Sequence, residues 1–385
     1  MALHTQPHPK QKYKYLPETT THKATILGFP SRCSTFPALY EATCAEIIDL
    51  AGTIAFFEPV WLHVRPEDEP RAKELVAKRM ASASATEKAR VTLIPLPINH
   101  CWVRDTGPVY VRGEDGRRFA IDFRFCEWGN KIDQLIYTSS ESEWPVMNEE
   151  RQKENATFAC RVLERENSVP GSNPVTRVES AVRLEGGGIE LDGQGTLMAT
   201  ESSVLVPSRN ADLSRSAVEA ELHRLLGVTK FIWIPGREGL DITDCHIDAE
   251  ARFIAPCVVV LCKPHPSCEA VYWDIYREAR AILDTVTDAH GRRLQIYDIE
   301  EPDPELVRGQ GGVVPGEEDM PAASYVNFYF TNGGLVVPAF GDAEADLRAF
   351  ELLKSLVPRR VVRQVFVNAL PRTGGVLHCA TQQVL

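Results

Sequence analysis

Along this chain, short runs of alternating apolar residues give way to runs in which apolar residues return every three or four positions, and the sequence of these two periods recurs. "LEGGGIELDGQGTLMATESSVLV" reads as strands turned at Asp192-Gly193. The helix that follows carries Val218, Leu222, Leu225 and Leu226 on one face, stops at Gly227 and leads into the strand "KFIWIP". The same order returns with strands in "ARFIAPCVVVLC", a helix with Trp273, Tyr276, Ala279, Leu283 and Val286, and the strand "RLQIYDI". It returns again with "SYVNFYF", a turn at Asn332-Gly333-Gly334, "LVVPAF", a helix with Leu347, Phe350, Leu353 and Val357, and "RVVRQVFV".

Earlier segments supply the remaining strands: "THKATILGF" through "RVTLIPLP", then "PVYVRG" and "RFAIDFRF". Five strand-strand-helix-strand units of about 75 residues each fit the length. Such a period suits a propeller-like repeat, and it suits an open α/β sheet with internal symmetry equally well; the pattern alone does not decide whether the ring closes. No long linker divides the chain, so a single domain over residues 1–385 is expected, with residues 1–12 flexible. Segments 139–155 and 170–174 read as surface excursions.

The balance of 44% hydrophobic and 25% charged residues over 385 positions is that of a globular protein with a sizeable core. A formal charge of -11 spread along the chain argues against nucleic acid or an anionic membrane and is compatible with a cationic partner. The polar, Pro- and Lys-rich start lacks the apolar stretch of a signal peptide, so an intracellular, cytoplasmic location is expected. Ten cysteines at irregular spacings, with no CxxC pair, indicate neither a disulfide framework nor a zinc module. Free thiols allow one of them to be a nucleophile.

Four segments at the joints between units carry chemistry. In "WVRDTGPVYV", Asp105 precedes a turn that opens a strand, and turn formation is the commoner use of such an Asp. In "RLEGGGIELDGQGT", Glu185 stands at a strand end before three glycines, where backbone can come close to a ligand or form a bulge. "LDITDCHIDAEARF" sets His246 and Asp248 two apart, on one face of an extended segment, so that one can move protons while the other holds a positive charge. The closing "GGVLHCATQQ" offers Cys379 as nucleophile; Cys245 and Cys101 are rivals, but in a strand Cys245 points away from its neighbour His246. A metal ranks low, because no further ligand set at recognisable spacing lies nearby.

One thiol, one histidine and three carboxylates exceed what a simple cysteine nucleophile needs, and the extra carboxylates suit a cationic substrate. A guanidinium fits best, since its planar fork of N–H donors asks for carboxylates held opposite it.

In order along the chain, "YLPETTTHKATILGFPS", "WVRDTGPVYV", "EWGNK", "EGGGIELDGQGTLMATESSVLVPSRN", "DITDCHIDAEARF", "YVNFYFTNGGLVVPAFGD" and "GGVLHCATQQ" resemble the agmatine deiminase and bacterial-type peptidylarginine deiminase family of the guanidine-modifying superfamily. The resemblance implies an α/β fold, the five-bladed pseudo-symmetric propeller of ββαβ units called the pentein. It implies hydrolytic deimination of a guanidino substrate, with agmatine to N-carbamoylputrescine plus ammonia favoured over peptidylarginine or another guanidino compound. An amidinotransferase and a non-catalytic binder of guanidino cations are the more distant readings. By the same resemblance Cys379 attacks the guanidinium carbon and forms an S-alkylthiouronium, and His246 protonates the departing ammonia and then activates water. Asp105 and Asp248 grip the guanidinium nitrogens, Glu185 orients His246 or adds to that grip, and Trp102 and Gly375 border the substrate. No metal or organic cofactor is implied; the partner is a small guanidino cation, with no nucleic acid or membrane, and a homo-oligomer is compatible. Three departures stand out: Thr20-Thr21 replace a usual tryptophan, Cys245 replaces a usual glycine, and a run of four glycines is cut to "TGG".

Overall fold

Five small sheets carry the fold of the computed structural model, which describes residues 12–131, 147–309 and 320–385. Each contains an antiparallel pair of strands and a parallel pair separated by helix, the crossover that parallel neighbours require, and two of the sheets have a fourth strand. Val109–Gly113, Arg118–Asp122 and Val175–Glu179 form one such sheet, with Tyr13–Tyr15 added along its edge. Ile189–Leu191, Thr196–Thr200 and Lys230–Ile234 form the next. Ala251–Ala255, Val258–Lys263 and Gln295–Glu300 follow, and then Tyr329–Thr331, Gly334–Ala339 and Val361–Phe366.

The first sheet in the chain is completed by the last residues. Thr381–Val384 pairs antiparallel with Ala24–Gly28, which pairs parallel with Val60–Val64 and through it with Val91–Pro95. The last strand and the strand Ala24–Gly28 thus share one blade, and the five units form an α/β propeller. That is the closure the apolar pattern left undecided.

Helices cover the blades with the faces their periodicity marks. Val218, Leu222, Leu225 and Leu226 of the helix Arg215–Leu226 are buried, and Ile275, Ala279 and Leu283 serve Ala270–Leu283, which ends before Val286. In Ala343–Leu356 the buried face is Ala345, Ala349 and Leu353, spaced by four; Leu347 lies between these in sequence, on the other side of the helix, and is 55% exposed, contrary to expectation.

Two further expectations change. "SYVNFYF" is not one strand: only its end pairs, as Tyr329–Thr331, because residues 324–330 are buried on all sides and alternation loses its meaning there. The expected excursion over 139–155 holds a helix, Glu149–Ala156, whose Asn155 is buried and donates to Glu127 Oε1 at 2.6 Å; residues 139–146 and residues 1–11, for which flexibility was expected, lie outside the described residues. Among the described residues no helix is long and apolar enough to cross a membrane.

Candidate active site

Cys379 sits just before the closing strand Thr381–Val384, half-buried, with its thiol 3.3 Å from Asn327 Nδ2 and 3.6 Å from Asp248 Oδ2. Asn327 Oδ1 also accepts from the backbone N–H of His378 at 2.9 Å and of Cys379 at 3.3 Å, so one amide fixes the loop that presents the thiol. Glycine at 375 lets that loop approach an aromatic wall: a Cβ there would stand 2.8 Å from Trp102 Cζ3 and 3.1 Å from Cys379 Cβ.

His246 and Asp248 come from a one-turn helix, Ile247–Glu250, capped by His246, and not from the extended segment the spacing suggested. They nevertheless converge. A Cβ at Gly187 would lie 2.7 Å from His246 Nδ1, 2.8 Å from Asp105 Oδ1 and 3.0 Å from Asp248 Oδ2, so one side chain from the Asp105 segment and two from the His246–Asp248 turn face one small volume. Only glycine fits there, and its N–H donates to Asp105 Oδ1 at 3.1 Å. Glu185, at the start of that glycine turn, accepts from His246 Nε2 at 3.1 Å.

The charges sort the groups into roles. His246 is pushed up to about 9: burial works against the imidazolium, but Asp105 at 3.7 Å and Glu185 outweigh it. Burial raises Asp105 to about 6, opposed by His246 and supported by Asp248 and Glu185. Against the same burial penalty Arg209 and His246 hold Glu185 below the usual carboxylate range, and His378 does so for Asp248. Burial and then the Asp248 and Asp105 carboxylates push the Cys379 thiol well above its ordinary value. A cation set between those carboxylates removes the second cause and favours the thiolate.

The five residues singled out for catalysis and the guanidinium grip are therefore gathered, with Trp102 and Gly375 at the edge of the same loop. The rival thiols are not part of it. Cys101 is buried, pushed up to about 12 by desolvation, and Cys245 turns its sulfur to the Arg237 carbonyl at 3.5 Å. Cys245 takes φ of 64°, beside Asp244 at 64°, the left-handed region that accounts for a glycine being usual at this position. Among the described residues no group of three or more His, Cys, Asp or Glu is arranged to hold a metal ion.

Several partners went unremarked in the sequence. Arg209 grips Glu185 through Nε at 2.9 and 3.1 Å and Asp244 Oδ2 through Nη1 at 2.7 Å. Trp128 donates from its indole to Asp105 Oδ2 at 2.9 Å. His378, Glu18 and Asn327 complete the set; all five, Arg209 and Trp128 included, stand inside segments already marked as motifs, and that was their only local signal.

Residues 14–384 match the Porphyromonas-type peptidyl-arginine deiminase family. The agmatine deiminase of Stutzerimonas stutzeri is 32% identical over 385 residues, covering 97% of this chain and 96% of that one. A solved structure of the agmatine deiminase of Enterococcus faecalis superposes with a TM-score of 0.81 at 25% identity, over 100% of this chain and 98% of that one. That of C. jejuni shares the fold, with a TM-score of 0.76 at 20% identity over 99% and 98%.

Proposed function

The chain belongs to the Porphyromonas-type peptidyl-arginine deiminase family, and from that premise we propose that it hydrolyses agmatine to N-carbamoylputrescine and ammonia through a covalent intermediate on Cys379. The observation that carries the reading is the convergence of His246, Asp105 and Asp248 on the space beside Gly187, with the thiol 3.6 Å from Asp248. Agmatine is chosen because relatives that match nearly end to end bear that activity in their names.

The guanidinium enters between Asp105 and Asp248, whose carboxylates accept its N–H groups in charge-assisted hydrogen bonds. Its charge offsets theirs, and the thiol gives up its proton to solvent, His246 being already protonated. The thiolate attacks the guanidinium carbon, and the C–N bond to one terminal nitrogen breaks as the His246 imidazolium donates a proton to it; ammonia leaves and an S-alkylthiouronium remains. His246, now neutral, takes a proton from water as that water attacks the same carbon. The C–S bond then breaks as the new hydroxyl on that carbon releases its proton to solvent, returning the thiolate, leaving His246 protonated and giving the neutral ureido product. Glu185, held by Arg209, keeps the imidazole ring turned toward the reacting atoms. In this reading one domain acts in the cytoplasm on a small cation, with no cofactor.

The test is incubation of the purified chain with agmatine, arginine and an arginine peptide, following ammonia and ureido product. Agmatine is expected to turn over fastest. Silence with all three and with longer guanidino-amines would sink the reading, and amidino transfer to an added amine without free ammonia would replace it.

A further inference from the structure

Asp248 is fully buried and uses only half of its carboxylate. Its Oδ2 accepts from His378 Nδ1 at 2.7 Å, whereas Oδ1 is without a hydrogen-bond partner among the described residues. A buried carboxylate oxygen left in that state is costly unless a donor is due there.

The other side of His378 is equally specific. Its Nε2 lies 2.9 Å from Glu18 Oε2, and carboxylates only accept, so both ring nitrogens donate. Glu18 Oε2 also accepts from Arg104 at 3.2 Å and Arg252 at 3.3 Å, and Oε1 accepts from the Phe330 backbone at 2.8 Å. Arg252 reaches Glu190 at 3.2 Å as well. The charged groups facing the ring are thus Glu18, Glu190 and Asp248 against Arg104 and Arg252. Without an imidazolium, three buried carboxylates would answer to two guanidiniums.

We propose that His378 is a positioning residue for the guanidinium grip: clamped by Glu18, it fixes Asp248 Oδ2, the carboxylate oxygen that faces the space beside Gly187 and lies 3.6 Å from the Cys379 thiol, and leaves Oδ1 unpartnered for a donor. This deepens the reading above and rests on it. It also assigns work to the N-terminal "YLPETTTHK" segment, whose Glu18 reaches a residue 360 positions away. The main chain at 378 is anchored separately, its N–H on Asn327 and its carbonyl accepting from Arg104 Nε at 3.3 Å, so the ring can be changed without releasing the loop.

The test measures agmatine binding by calorimetry from pH 5 to 8.5 on the full chain carrying Cys379→Ala, with and without His378→Gln or Glu18→Gln. In the parent, affinity is expected to fall with one proton on the acid side, the proton of Asp105. In His378→Gln, affinity is expected to drop about tenfold or more at pH 7, and the acid side to steepen to two protons as Asp248 titrates too. Glu18→Gln moves in the same direction by less, and carries the test alone where His378→Gln does not fold. Unchanged binding, or weakening by one factor at every pH as a packing defect would give, overturns the proposal while leaving deimination intact. A wild-type chain that neither binds nor turns over agmatine removes the functional reading, and this one with it.

Discussion

Trp128 donates its indole N–H to Asp105 Oδ2 at 2.9 Å, and it does so from backbone wound the opposite way to an ordinary helix. Glu127, Trp128 and Asn130 take φ of 52°, 49° and 62°, with Gly129 at 87° among them. A left-handed turn costs about 1–2 kcal/mol for each residue with a side chain. Buried contacts hold it: Glu127 accepts from His100 at 2.8 Å and from Asn155 at 2.6 Å, and Lys131 Nζ reaches the Ile242 carbonyl at 3.1 Å and Asp244. The strain is concentrated where it aims one donor at a carboxylate of the site.

Replacing Trp128 by Phe keeps the edge-to-face packing on His100 and Phe125, both 5.0 Å away, and removes only the donor. Asp105, already raised to about 6, is then expected to rise further. If Asp105 grips the guanidinium as proposed, it does so ionised, and the acid limb of kcat/KM should move to higher pH without steepening, with a loss of about tenfold at pH 7. A limb that stays in place would separate the indole from the carboxylate's ionisation.

The raised thiol of Cys379 makes a second expectation unusual for a nucleophilic cysteine. Facing Asp105 and Asp248, it is expected to react slowly with neutral iodoacetamide at pH 7.5. A cationic alkylating agent, 2-chloroacetamidine, brings the charge that those carboxylates want. Relative to the rates of both reagents with glutathione, inactivation should favour the cation by about tenfold or more, and agmatine should protect. Preference for iodoacetamide would place the thiol outside the carboxylate pair.

At the alkaline side the controlling group is His246. Its pKa is raised from 6.5 to about 9, so the imidazolium contributes stability that is present in full below pH 6.5 and is lost as pH rises through 9. Glu185→Gln removes one of the three carboxylates responsible, Asp105, Glu185 and Asp248. The alkaline limb of kcat/KM should therefore shift to lower pH, and thermal stability should decline less between pH 6.5 and 9 than it does in the wild type. Equal declines would assign the wild-type slope to other groups.

What could be read from the sequence divides along a physical line. Local signals served well: the period that buries Val218, Leu222 and Leu225 is set by neighbours in one helix, and Gly187 betrayed the site because close approach admits no Cβ. Leu347 misled because four apolar residues left two rival faces on that helix, and only packing chose between them. His378, Glu18, Arg209 and Trp128 act through buried partners 360, 24 and 23 positions away, and no periodicity records such pairs. His246 and Asp248 were recognised, but through spacing on a strand that is in fact a helical turn; the convergence is the work of the propeller.

The same glycine offers the sharpest separation of fold from function. Gly187 has no left-handed φ, so alanine is compatible with its backbone, yet the added methyl would stand 2.7 to 3.0 Å from His246 Nδ1, Asp105 Oδ1 and Asp248 Oδ2. None of these can recede freely: Asp105 is tied to Trp128, Asp248 to His378 and His246 to Glu185. The methyl also takes up space in which, on the proposed mechanism, the guanidinium sits. Gly187→Ala is expected to remain folded by circular dichroism, with a modest loss in melting temperature, and to lose about 10²-fold or more in kcat/KM, the scale set by displacing reacting groups by an ångström. Near-wild-type turnover in a folded variant would mean that the guanidinium binds elsewhere than beside residue 187.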